Sequence, residues 1–141
     1  MKKILIFLLL ILSGCVHRYS GPNPEILSFF ELSENDLLLV VKVTKSDFTG
    51  LTSISEECQE NPDCIPWSYW YVYDGKILDN INKLYQNETI RFAFLSHADY
   101  LDEIKREWYV HLRRFKNIDT AEKLKSKYFV VNHSSEYSIK H

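Results

Sequence analysis

Apolar residues in this chain fall into short runs separated by turn-forming and charged residues. Leu37-Leu38-Leu39-Val40-Val41-Lys42-Val43-Thr44 is brief, apolar and rich in β-branched residues, which predicts a strand. Trp67-Ser68-Tyr69-Trp70-Tyr71-Val72-Tyr73 carries the strongest strand pattern and is expected to continue through Asp74-Gly75, a bulge or turn, into Lys76-Ile77-Leu78. A third strand is expected over Thr89–Leu95 and a fourth over Trp108–Phe115, with Trp108, Val110 and Leu112 on one face. A fifth is expected over Tyr128–Val131. Between the third and fourth, Ala98–Arg106 places acids early and bases late, the charge order of a helix. Asp119-Thr120-Ala121-Glu122 reads as an N-cap with an acid three residues on, opening a short helix to about Lys125. Ile26–Leu32 is a short helix or packed lead-in. Residues 45–66 read as a long irregular segment, and the chain from Asn132 as a loose polar tail.

The order strand, strand, strand, helix, strand, strand resembles that of OB and netrin-like small barrels over Asp36 to about Val131. The expected fold is therefore mainly β within the α+β class: a small OB-like five-stranded antiparallel barrel with one or two short helices. The alternative is an antiparallel sheet with helices on one face. No repeat or low-complexity tract divides the domain, which is assigned to residues 36–132 with a polar tail at 133–141.

The N-terminus adds an address. Lys2 and Lys3 precede an apolar run from Ile4 to Leu12, too short to span a bilayer, and Leu12-Ser13-Gly14-Cys15 closes it. This segment resembles the signal peptide and lipobox of bacterial lipoproteins. The resemblance implies removal of residues 1–14 and attachment of lipid to Cys15, with palmitate among the acyl chains. Residues 15–35 then form the lipidated N-terminus, a tether over Val16 to about Pro24, and the lead-in. Val16 after the cysteine, in place of Asp, points to the outer membrane, facing the periplasm. Several acyl chains anchor durably because each buried CH₂ contributes about 0.8 kcal/mol.

Removing residues 1–14 leaves 127 of 141 residues and, by taking away two lysines and no acid, moves the formal net charge from −2 to −4. With no polybasic block, nucleic acid is not an expected partner. With Cys15 assigned to lipid, Cys58 and Cys64 remain as a pair. An exported protein keeps disulfides, and Asn61-Pro62-Asp63 is a turn signal that can bring their ends together, so a Cys58–Cys64 bridge is expected.

Candidate chemistry is sparse. Trp67, Tyr69, Tyr71 and Tyr73 share one strand face and form either barrel filling or an exposed aromatic platform for an envelope protein or glycan. His97 and Asp99, with Asp102 and Glu103 nearby and His111 as a further candidate, offer an acid–base or metal-type constellation. It lacks a nucleophile, and a helix start with Ser96 or Asp99 as cap is the plainer reading. No catalytic residue, metal site or cofactor is expected. The functional expectation is a membrane-anchored, non-catalytic binding module of the assembly or pilot, immunity or inhibitor type. The alternatives are a small envelope hydrolase or metal-dependent enzyme using His97 and Asp99, and a structural envelope lipoprotein.

Overall fold

A computed structural model describes residues 19–52, 67–97 and 107–135. The fold is mainly β, with five strands: β1 (Leu37–Thr52), β2 (Tyr69–Asn80), β3 (Thr89–Ser96), β4 (Trp108–Arg114) and β5 (Tyr128–Ser135). Two short helices accompany them, α1 (Pro24–Leu27) and α2 (Ile118–Leu124). The strands hydrogen-bond in the order β1-β2-β3-β5-β4 and β4 returns to β1, closing the sheet into a small barrel. The expectation of a mainly β fold, with five strands in one closed sheet and short helices beside it, holds; the expected all-antiparallel pairing is corrected. Four of the five pairings are antiparallel, but β5 runs parallel to β3 through Phe92↔Tyr128 and Ala93↔Phe129, so the sheet is mixed.

Alternation decides which residues fill the barrel. Leu37, Leu39, Val41 and Val43 of β1, Tyr71 and Tyr73 of β2, Ile90 and Phe92 of β3, and Trp108, Val110 and Leu112 of β4 form one buried cluster. Successive side chains of a strand point to opposite faces, so one parity from each strand meets inside. The other parity would leave apolar residues in water, and two outer layers cover them. The N-terminal segment lays Ile26 over Val40 and Tyr109. On another outer face, Leu124 of α2 packs on Val72 of β2 and Ala93 of β3, with Trp70, Phe115 and Phe129 around them.

Four features of the strands differ from what the sequence predicts. β1 continues through Lys45–Thr52, where an irregular segment was expected. This half is polar because only β2 flanks it among the described residues, whereas Leu37–Val41 is held between β2 and β4. Its irregularity is real but local: an extra residue at Thr44 and a longer one at Thr49–Leu51 bulge the strand, and Gly50 there takes φ +70. The Asp74-Gly75 step, expected to bulge or turn, runs on as regular strand opposite the Thr44 bulge. β5 extends to Ser135, so Asn132–Ser135 is paired strand on β4 rather than loose tail. β2 begins at Tyr69, leaving Trp67 outside it.

The expected tether is also docked from Tyr19 onward. Tyr19 donates its hydroxyl to Asp79 at 3.0 Å, and the Tyr109 hydroxyl accepts from the Asn23 N–H at 2.9 Å. Asn23 then caps α1 through its side-chain oxygen, with Pro24 at the first helical position. α2 starts at Ile118 rather than Asp119, because Asn117 caps it by accepting from the Thr120 N–H at 3.0 Å. The helix expected at Ala98–Arg106 lies outside the described residues.

Candidate functional site

The aromatic strand Trp67–Tyr73 splits into three environments. Tyr73 is fully buried and Tyr71 nearly so, both inside the barrel. Tyr73 packs edge-on to Trp108 at 5.8 Å and tilted on Phe92 at 5.8 Å. An exposed platform built on Tyr71 and Tyr73 is therefore corrected: their parity turns them inward, where aromatic area stabilises the core. Tyr69 is half-buried at the barrel end, and Trp67, just before β2, is 84% exposed.

Around Tyr69 and Trp67 the end of the barrel is aromatic and open. Phe48 of β1 lies 61% exposed, with its ring 5.4 Å from both Tyr69 and Tyr71. Trp67 meets His97 edge-to-face at 6.0 Å. His97 Nδ1 also contacts the Trp67 carbonyl and lies 3.5 Å from the Ser68 hydroxyl. Tyr69 pairs with Ser96, so β2 and β3 carry Trp67 and His97 to the same edge. Phe48 was missed in the sequence because it falls in the polar half of β1, inside the segment read as irregular.

The His97, Asp99 and His111 constellation does not form around His111. His97 adjoins the first residues of β2, whereas His111 pairs with Leu38, whose carbonyl accepts from Ile81 just past the other end of β2. Asp99 lies outside the described residues, as do Cys15, Cys58 and Cys64. Among the described residues, no group of three or more His, Cys, Asp or Glu side chains gathers as a metal site.

His111 belongs instead to a buried ionic cluster that has no local signature in the sequence. Its Nε2 lies 2.7 Å from Asp36 Oδ2, and both side chains are almost wholly buried. Arg113 donates from Nε to Asp36 Oδ1 at 2.9 Å and from Nη2 to Asp36 Oδ2 at 2.8 Å. The Ser33 N–H donates to the same carboxylate at 2.9 Å. Arg113 first, then His111 and Ser33, hold the Asp36 carboxyl well below the usual carboxylate range against the opposing effect of burial. An ionised carboxylate only accepts, so His111 Nε2 carries the hydrogen. The cluster pins the lead-in to β4 and leaves that nitrogen committed to Asp36.

A second polar network crosses the outside of three strands. Arg91 of β3 donates from Nη1 to both oxygens of its cross-strand partner Asp74, at 2.9 and 2.7 Å, and reaches Asp47 of β1 at 3.3 Å. Lys45 completes the row on Asp47 at 2.8 Å. These groups are about one-third exposed or more, so the row sets register more than it stabilises.

At the open aromatic end, Trp108 donates its indole N–H to His133 Nδ1 at 3.2 Å, and Phe94 meets the same imidazole edge-on at 4.9 Å. His133 stays exposed as a residue, but desolvation of its ring against these aromatics lowers its pKa below the ordinary 6.5. No protein-family model matches the chain, and neither the curated proteins nor the solved structures compared with it give a match.

Proposed function

We propose that this protein is a lipid-anchored bacterial cell-envelope lipoprotein, tethered through Cys15 at the outer membrane and facing the periplasm. It acts there as a non-catalytic binding module. The observation that carries the binding role is the exposure of Trp67 and Phe48 beside half-buried Tyr69 at one end of the barrel. Exposed aromatics with a rigid strand beneath them are favourable anchors for a protein interface, because they desolvate large area at little entropic cost.

The same geometry makes an envelope protein a better partner than an extended glycan or nucleic acid. OB-type barrels bind oligonucleotides and oligosaccharides on the face of strands 2 and 3. Here α2 covers Val72 and Ala93 on that face, and the Arg91–Asp74–Asp47 row lies beside them. Assembly or pilot, immunity and inhibitor roles all use such a module.

Affinity capture with the full chain from solubilised envelopes tests the reading. A partner held by the wild-type chain should be lost, or weakened at least tenfold, in the Trp67→Ala/Phe48→Ala double variant. Both side chains are largely in water, so the fold should be unchanged. Retention of every partner by that variant at wild-type strength overturns the aromatic-end assignment.

A further inference from the structure

A cleft of about 440 Å³ lies between α2 and the chain leaving β4, outside the barrel and apart from the aromatic end. Its volume is within the range of small-molecule sites. Phe115, Ile118 and Ala121 give it an apolar wall, and Ile118 stands 70% exposed there. Arg114, Lys125 and Lys127 also line it, against a single acid, Glu122. None of these three cations forms a salt bridge with a described residue. All three are exposed, so their charges stand free at the mouth of the cleft, whereas the half-buried Arg91 and Arg113 both hold carboxylates. An apolar wall with unpaired cations at its margin is complementary to a molecule with an anionic head and an apolar body.

We propose that this cleft binds a single-chain anionic amphiphile of the long-chain carboxylate class. The carboxylate sits against Arg114, Lys125 and Lys127, and the hydrocarbon lies along Phe115, Ile118 and Ala121. A guanidinium matches a carboxylate with two parallel N–H donors, which favours Arg114 as the main headgroup contact. A small inorganic anion would leave the apolar wall in water, and a cationic amphiphile would face three like charges. This site is independent of the aromatic end and of the proposed partner.

Photolabelling tests it, with diazirine-tagged dodecanoic acid as the probe. The full chain is held in phosphatidylcholine nanodiscs, with empty discs as the partition blank. Label should map within residues 114–127 and be competed by dodecanoate, but not by butyrate or dodecyltrimethylammonium. Arg114→Gln/Lys127→Gln should lower labelling at least tenfold, and Ile118→Ser should also weaken it while circular dichroism is unchanged. Label mapping elsewhere overturns the proposal. So does equal competition by butyrate, which would mean a simple anion site, or by the cationic amphiphile, which would mean hydrophobic adsorption. The chain-length comparison needs only the wild-type protein, so it decides even if a variant misfolds.

Discussion

Arg113 clasps Asp36 through two parallel hydrogen bonds, Nε to Oδ1 at 2.9 Å and Nη2 to Oδ2 at 2.8 Å, across 77 positions of sequence. Asp36 directly precedes β1, so this clasp fixes where the first strand begins. Removing the carboxylate strands His111 and Arg113 without their acceptor. Asp36→Ala should therefore destabilise by about 3 kcal/mol, as for one partner of a buried pair. Urea unfolding should show a lower midpoint with an unchanged slope. A loss under about 0.5 kcal/mol, the size of an ordinary surface change, would show the cluster to be energetically idle.

The same carboxyl gives a pH signature. Its folded pKa is depressed, so its contribution is fully present above the ordinary carboxylate value and is lost as pH falls below about 4. Asp36→Asn should lie below wild type from pH 5 to 8, and the two stability curves should converge in stronger acid. A gap constant from pH 7 to pH 2.5 would contradict the assignment.

His133 works in the opposite range. Its folded pKa is lowered by partial desolvation of the ring, so the unfolded chain binds the proton more readily. Stability should fall as pH drops below about 6.5 and level off beneath the folded pKa. Protonation would also remove the acceptor that Nδ1 offers to Trp108. Proton NMR should find the His133 ring titrating below 6.5, and His133→Gln should flatten the slope in that window.

The aromatic strand separates filling from display. Tyr73→Ala should cost about 3–5 kcal/mol, because it empties a fully buried site between Phe92 and Trp108. Trp67→Ala should change stability by no more than about 0.5 kcal/mol. Thermal unfolding of the pair checks both, and a large loss at Trp67 would move it into the core.

The cysteines give a covalent test. Radiolabelled palmitate should enter the wild-type chain and not Cys15→Ala. Thiol counting on the unfolded, unreduced mature chain should find no free Cys58 or Cys64. Reduction should cost about 2 kcal/mol, as expected for a short disulfide loop.

The barrel was legible where strands alternate or run apolar. Trp108, Val110 and Leu112 share the interior face, as their spacing predicts. Lys45–Thr52 was illegible because a strand half bordered by only one neighbour carries no apolar period. Asn132–Ser135 hid for a related reason: pairing with β4 is through backbone, which sequence polarity does not report. The parallel β3–β5 contact depends on how the ring closes and leaves no local trace. The Asp36 cluster joins residues from two distant segments, so no motif spacing could reveal it. Of the aromatic site, Trp67 and Tyr69 were visible in the pattern, but their separation from Tyr71 and Tyr73 required knowing where β2 starts.

Docking of Tyr19 onto Asp79 also has an orienting effect. Four peptide steps separate Cys15 from Tyr19, a reach of at most about 14 Å. With acyl chains on Cys15, the barrel would hang from the bilayer by its Val40–Tyr109 flank, with little room to swivel. The lipid would then set which way the molecule looks as well as where it resides.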